Sequence, residues 1–259
     1  MPSSMIYVVL PAYNEEQNIR PLLQEIDWHM EEGAPRTPYT VVVVDDGSSD
    51  DTRDVVEQYR RERARLPHGA IELVSHEVNK GLAEAIRTGL LFCLERGRER
   101  DIVLIMDSDN THTPGLMLRM IRLIREGNEV VIASRYRPGA RVIGVPFHRQ
   151  LLSWAGSLVF RTLFHIPNVR DYTCGYRAYR LSVVRHAFQL MPNFVSESGF
   201  SCMVDILLKM RKMRPAPIMS EVPLILRYDL KRGASKMNVG RTIRQTFSLI
   251  GRRLTGRWD

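Results

Sequence analysis

The chain has 259 residues, 44% of them apolar and 25% charged, which is long enough and apolar enough for one large α/β domain or two small ones. Lysine and arginine number 37 against 29 acids, a formal charge of +8, so the expected partner is an anion: nucleic acid, a lipid surface or a phosphorylated substrate. Cys93, Cys174 and Cys202 stand in no metal-ligand spacing, which argues against structural zinc and for a reducing compartment; the N-terminus shows no signal-peptide succession, and no apolar run reaches the roughly 18 to 20 residues that span a bilayer.

In chain order, Ile6 to Leu10 is an apolar strand closed by Pro11, and Asn14 precedes a helix with Ile19, Leu22, Leu23 and Ile26 on one face. Val41 to Val44 is a second buried strand that ends in Asp45 and Asp46, with Ser49 or Asp50 placed to cap the next helix. Ile71 to Ser75 is a third strand, and Asn79 to Leu94 a helix with Leu82, Ile86, Leu90 and Leu94 along one side. Ile102 to Met106 runs without a polar interruption and stops at Asp107 and Asp109; a helix from Pro114 to about Glu126 and a strand Val130 to Ala133 follow. Strands alternating with helices imply a mostly parallel, doubly wound sheet, with helices on both faces and its sites at the carboxyl ends of the strands. Pro11 to Asn14, Asp45 and Asp46, and Asp107 and Asp109 should therefore line one edge. Two neighbouring carboxylates there need a counter-charge, and a hard cation with oxygen ligands is the natural occupant. The plainer reading is a polar turn capping the helix near Pro114. Neither GxGxxG nor GxxxxGK[ST] occurs, nor HExxH or GxSxG.

Past Ser134 the chain turns basic and aromatic. Arg135, Arg137, Arg141 and Arg149 precede Leu151 to Ile166, sixteen residues with one charge, Arg161. This helix is either half sunk in a lipid interface or packed on the sheet as core. Arg170 to Arg180 reads as a loop around Gly175, Gly199 to Met210 as a helix, and Ile218 to Leu226 as an extended segment whose Pro223 places it at an edge or bulge. Lys231 to Lys236 is a basic loop. The last helix carries Ile243, Phe247, Ile250 and Leu254 on one side, with Arg241, Arg244, Arg252 and Arg253 distributed around it.

PAYNE (Pro11 to Glu15), VDDGSSD (Val44 to Asp50), NKGL (Asn79 to Leu82), DSD (Asp107 to Asp109) and ASRY (Ala133 to Tyr136), in this order, resemble family 2 glycosyltransferases of the GT-A, Rossmann-like fold. PFHRQLLS (Pro146 to Ser153), CGYRAY (Cys174 to Tyr179), EVP (Glu221 to Pro223) and RGASK (Arg232 to Lys236) look like the dolichyl-phosphate mannosyltransferase group and its bacterial polyprenyl-phosphate hexosyltransferase relatives. The resemblance implies an inverting, Mg²⁺- or Mn²⁺-dependent transfer of a hexose, mannose from GDP-mannose, to a dolichyl or undecaprenyl phosphate. It implies nucleotide-sugar contacts at Pro11, Tyr13, Glu15, Asp45, Asp46, Lys80, Asp107 and Ser108, and a metal on Asp107 and Asp109. Thr111 stands where the group often has glutamine, as the third metal ligand. Arg135, Arg149, Ser153 and Arg232 match positions that hold the acceptor phosphate, and Lys236 matches a nearby lysine. Asp107, Asp109, Arg135, Arg149 and Arg232 would carry the catalysis. The implied organisation is a nucleotide-sugar half (1–134), an acceptor half of the same domain (135–237) with a basic surface, and a C-terminal helix (238–259). The implied place is the cytoplasmic face of the membrane, held peripherally. Many relatives carry C-terminal spans and this chain stops at Asp259 without one, which makes a membrane-spanning partner protein one route to the lipid.

A phosphate acceptor is already an anion near neutral pH, so no strong general base is needed. Arginine forks offset its repulsion from the donor diphosphate. A second reading keeps a nucleotide sugar, UDP-glucose or another, and transfers to a hydroxyl; it needs a base, for which Glu197 and Asp205 are the residues to test. A third makes the basic half a non-catalytic membrane adaptor or nucleic-acid binder, although no nucleic-acid motif is visible. Several residues also have plainer roles: Asp45 and Asp46 as a capping turn, Arg177 as a loop brace, His112 as a packing residue rather than a phosphate contact.

Overall fold

The protein is described here by a computed structural model covering residues 4–64, 69–199, 201–232 and 239–258. Its first part alternates strictly: β1 (Ile6–Ala12), α1 (Glu16–Gly33), β2 (Tyr39–Asp45), α2 (Thr52–Arg63), β3 (Gly69–Ser75), α3 (Leu82–Arg96), β4 (Ile102–Ile105), α4 (Leu116–Arg125) and β5 (Val130–Ser134). The second part contains β6 (Arg141–Ile143), α5 (Phe147–Leu163), β7 (Arg177–Arg180), α6 (Leu181–Leu190), α7 (Ser201–Lys212), β8 (Met219–Pro223), β9 (Ile225–Arg227) and α8 (Val239–Leu254).

Seven strands form one sheet in the order β3-β2-β1-β4-β7-β5-β8, parallel except for β7, which runs antiparallel to β4 and β5. The apolar runs of β1, β2 and β4 are continuous because helices cover both faces. From β1 the chain winds outward to β3 through α1 and α2, then reverses to β4 through α3, which places α3 on the opposite face. That reversal opens a crevice between the carboxyl ends of β1 and β4, the place where doubly wound sheets bind ligands. α3 lies close to the sheet because Gly89 has no side chain: a Cβ there would come within 2.3 Å of Val9 Cγ1. Gly89→Ala is expected to destabilise the fold by about 1–3 kcal/mol through overpacking, read as a lowered urea midpoint with an unchanged slope.

Four expectations are corrected. Arg177 to Arg180 is a strand, not a loop; as an interior strand it is buried on both faces, and the Arg177 guanidinium donates through Nη2 to the Tyr172 carbonyl at 2.7 Å and through Nη1 to the Met203 carbonyl at 2.6 Å. The α3 helix begins at Leu82 rather than Asn79, because the backbone of Lys80 and Gly81 bonds to Asp46 instead of starting a helix. α5 starts at Phe147, before the expected Leu151, and only one side of it joins the core: Ser157 and Phe160 are buried, whereas Phe147 is 78% exposed and Trp154 53%. On α8 the face turned inward is Leu249, Ile250 and Arg253, whereas Phe247 and Leu254 are exposed. Arg253 is drawn in by Asp205, its Nε donating at 2.7 Å to a carboxylate on α7.

Candidate functional site

The loops after β1 and β2 are built as one piece. Asn14 sits at φ 52°, in the left-handed region that asparagine tolerates, and this turns its side-chain oxygen to accept the Ser49 N–H at 2.8 Å while its own N–H donates to Ser48 Oγ at 2.9 Å. Asp50 accepts the N–H groups of Glu16 and Thr52, both at 3.1 Å, and Thr52 Oγ1 accepts the Glu15 N–H at 2.8 Å. Asp45 and Asp46 are buried. Asp46 accepts the N–H groups of Lys80 and Gly81 at 2.9 and 2.7 Å and meets His76 Nδ1 at 2.7 Å; Asp45 accepts from Ser48 N–H at 3.2 Å and lies 3.4 Å from Arg53. These acids therefore position the rim, including the 79–81 loop. Tyr13 and Lys80 are exposed on it, Pro11 is partly exposed, and Glu15 is buried.

Across the crevice Ser108 Oγ donates to the Pro11 carbonyl at 2.7 Å, which locks the tip of β4 to the tip of β1. The flanking acids differ in surroundings. Asp109 Oδ2 pairs with Lys231 Nζ at 2.6 Å, and Oδ1 accepts the Thr111 hydroxyl at 2.7 Å. Burial alone would raise the Asp109 pKa, but the Lys231 ammonium wins and holds it below the usual carboxylate range. Asp107 is pushed up, first by burial and then by the neighbouring charges of Asp109 and Glu15, against the pull of His112 and Lys231. His112 is buried, stacked on Tyr176 with ring centroids 5.1 Å apart, and its Nδ1 accepts the Asp107 N–H at 3.3 Å. Its packing role is thus visible. Gly175, just before β7, passes so close that an added Cβ would lie 3.1 Å from Asp107 Oδ1.

Two further residues join the site that sequence reasoning did not single out. Lys231 lies 122 positions from Asp109, and no local spacing announces such a pair. Asn18, on the first turn of α1, donates to Glu15 Oε2 at 2.7 Å and to the Arg232 carbonyl at 3.0 Å, and accepts the Arg232 N–H at 3.2 Å. With Arg227 N–H donating to the Thr111 carbonyl at 2.8 Å, these bonds lay the chain from β9 to Arg232 across the DSD turn. Among the described residues no group of three or more His, Cys, Asp or Glu could hold a metal. Two carboxylates at one edge still suit a hard divalent ion that completes its octahedron with substrate phosphates and water.

Of the residues expected to hold the acceptor, Arg135 is bidentate to Asp171, Nε to Oδ2 at 2.8 Å and Nη2 to Oδ1 at 2.7 Å. Asp171 also accepts backbone N–H groups of Arg135, Thr173 and Cys174, and Glu221 accepts those of Arg170 and Asp171. The fork of Arg135 is thus committed to bracing its loop. Ser153 Oγ is 2.8 Å from the Tyr136 hydroxyl. Arg149, near the start of α5, and the exposed Arg232 have no side-chain partner among the described residues; Lys236 lies outside the described residues. Burial opposes the ionised form of Asp171, but Arg135 prevails and lowers its pKa. A carboxylate with a folded pKa below its unfolded one stabilises above the unfolded value, about 4, and loses that contribution as pH falls toward the folded value. Wild type should therefore lose urea stability below about pH 4 more steeply than Asp171→Asn. Glu197 and Asp205 are occupied elsewhere: Glu197 pairs with Arg252 at 2.6 Å, and Asp205 with Arg253 at 2.6 Å and Lys209 at 3.0 Å.

Residues 7–188 match the glycosyl transferase family 2 model. The chain belongs to that family. This glycosyltransferase is 30% identical over 254 residues to the undecaprenyl-phosphate mannosyltransferase of Micrococcus luteus, covering 98% of this chain and 96% of that one. It is also 30% identical over 260 residues to the polyprenol monophosphomannose synthase of Mycolicibacterium smegmatis, covering 100% and 90%. The dolichol-phosphate mannosyltransferase of Pyrococcus furiosus is 30% identical over 239 residues, which span 92% of this chain and 60% of that protein. Among solved structures, mannosyl-3-phosphoglycerate synthase from Rubrobacter xylanophilus superposes with a TM-score of 0.67 at 20% identity, covering 99% and 76%. Glucosyl-3-phosphoglycerate synthase from Mycobacterium tuberculosis, crystallised with Mn²⁺, UDP and phosphoglyceric acid, does so at 0.64 and 19%, covering 98% and 78%. These two share the fold.

Proposed function

We propose that this glycosyltransferase moves mannose from GDP-mannose to the phosphate of a polyprenyl lipid, dolichyl or undecaprenyl, with inversion at the sugar carbon. The observation that carries the reading is the near full-length likeness to two enzymes named for polyprenyl-phosphate mannose chemistry. The site is consistent with it. Asp107 and Asp109 would hold Mg²⁺ or Mn²⁺, with Thr111 as the third protein ligand; when bound, the ion supplies positive charge to the departing nucleoside diphosphate. Pro11, Tyr13, Glu15 and Lys80 line the nucleotide side, and Asp45, Asp46 and Ser108 support it from beneath. Arg149, Ser153 and Arg232 receive the acceptor phosphate, joined by Lys236, while Arg135 acts through the loop it braces. Transfer to a hydroxyl is disfavoured because the two acids that would serve as base, Glu197 and Asp205, are held in ion pairs with α8.

No helix among the described residues is long and apolar enough to cross a membrane. α5 supplies another means of reaching a lipid substrate. Phe147, Leu151, Leu152, Trp154, Leu158 and Leu163 are all exposed on it, an amphipathic arrangement suited to the interfacial zone of a bilayer. We assign the enzyme a peripheral position at the cytoplasmic face, with or without a membrane-spanning partner. The donor and metal are tested by incubating the protein with labelled GDP-mannose or UDP-glucose and a polyprenyl phosphate, in Mg²⁺, Mn²⁺ or EDTA. Label from GDP-mannose alone should enter the organic phase, and EDTA should abolish it. Transfer from UDP-glucose, or full transfer in EDTA, contradicts the corresponding part.

A further inference from the structure

Beyond the acceptor site, at the other end of α5, lies a cleft of about 340 Å³ that no role described above uses. Arg137, Arg161, His165 and Arg170 line it together with Leu158, and no carboxylate does. Arg161 and His165 are exposed and have no side-chain partner among the described residues. Glu221 is buried behind Arg137 with Oε2 3.8 Å from its Nε, and its other oxygen is taken by the Arg170 and Asp171 N–H groups; Asp171 itself is held by Arg135. The cleft therefore presents a surplus of positive charge in a concave space, directly beside an exposed apolar helix face.

The helix geometry ties the two features together. At about 100° per residue, Phe147, Leu151, Trp154 and Leu158 fall in one line and Leu152, Val159 and Leu163 in a second, while Arg149 and Arg161 stand at the two margins of this exposed half. An apolar face bordered by arginines is what an interfacial helix presents, with stems in the acyl region and guanidinium groups at headgroup level. Leu158 belongs to both the apolar line and the cleft lining, so a lipid whose tail meets the helix has its headgroup at the cleft. Arg149 and Arg161 are twelve positions apart, about 18 Å of helix, which keeps Arg161 apart from that candidate acceptor residue.

We propose that the cleft of Arg137, Arg161, His165 and Arg170 binds the phosphodiester headgroup of an anionic membrane lipid and orients α5 on the bilayer. This inference uses the membrane placement of α5 but not the transfer chemistry. Flotation of the full-length protein with vesicles of phosphatidylcholine, with and without phosphatidylglycerol, tests it. Wild type should prefer the anionic vesicles. Arg161→Glu should reduce that binding about thirtyfold, since each basic side chain near an anionic leaflet is worth about fivefold and reversal counts twice. Arg119→Glu, an equal change of net charge at an exposed position on α4, should alter it by less than about twofold. Mannosyl transfer to a detergent-dispersed polyprenyl phosphate should stay at the wild-type rate in Arg161→Glu, which separates failure here from failure of the enzymatic reading. Equal losses in the two variants would reduce the effect to bulk charge and overturn the proposal. So would binding indifferent to phosphatidylglycerol, or displacement from vesicles by equimolar inorganic phosphate, which would make the cleft a site for the free ion.

Discussion

Asp109→Ala is expected to lower mannosyl transfer by about a thousandfold, the scale seen when a preorganised electrostatic group is removed from a reacting centre. The prediction gains force from the unequal settings of the two acids. Asp109 has an ammonium 2.6 Å away and a hydroxyl donor at 2.7 Å, so its ionised form is already favoured. Asp107 faces burial and the charges of Asp109 and Glu15. The neutral isosteres should therefore diverge in stability while agreeing in activity. Asp109→Asn removes the partner of Lys231 and should destabilise the free protein by about 1 kcal/mol or more. Asp107→Asn relieves repulsion and should leave stability equal or slightly higher. Both should be nearly inactive. Chemical unfolding beside initial-rate measurements checks the pair, and equal stability losses would contradict the electrostatic account.

The second large effect concerns Arg135. Arg135→Ala leaves Asp171 fully buried without its counter-charge, and breaking such a pair from one side costs about 3–5 kcal/mol. Arg149→Ala, by contrast, removes a side chain with no partner among the described residues and should shift stability by less than about 0.5 kcal/mol. If Arg149 meets the acceptor phosphate, its loss should raise the KM for polyprenyl phosphate about tenfold or more, the worth of a charge-assisted hydrogen bond. Urea unfolding and acceptor titration of the two variants thus separate a brace from a ligand. A stable Arg135→Ala protein would return that residue to the group that binds phosphate directly.

The parallel strands were legible in the sequence for a simple reason. A strand covered on both faces must be apolar throughout, and Val41 to Val44 and Ile102 to Met106 are. Their acidic ends were legible for the same reason, since charge resumes where cover stops. β7 escaped notice because it breaks that rule: Arg177 is a fully buried arginine whose two terminal nitrogens donate to carbonyls, one of them from α7. α5 was visible as a helix but its packing was not, because an apolar run has the same composition whether it faces a core or a bilayer. Only the exposure of its leucines and of Trp154 distinguishes the cases. Lys231 and Asn18 were beyond reach because their contacts join segments far apart in the chain. The burial of Asp46 was hidden for a related reason: a capping turn and a carboxylate that organises another loop share the same residue types.

The most direct test of the account supplies radiolabelled GDP-mannose to the purified protein with polyprenyl phosphate in one reaction and the corresponding polyprenol in another, and extracts lipid into organic solvent. The account predicts label in the lipid phase with the phosphate alone, because it assigns Arg149 and Arg232 to an anionic acceptor and because Glu197 and Asp205 are tied to α8. Equal label with the free alcohol would contradict it and would require a general base that the present reading does not assign.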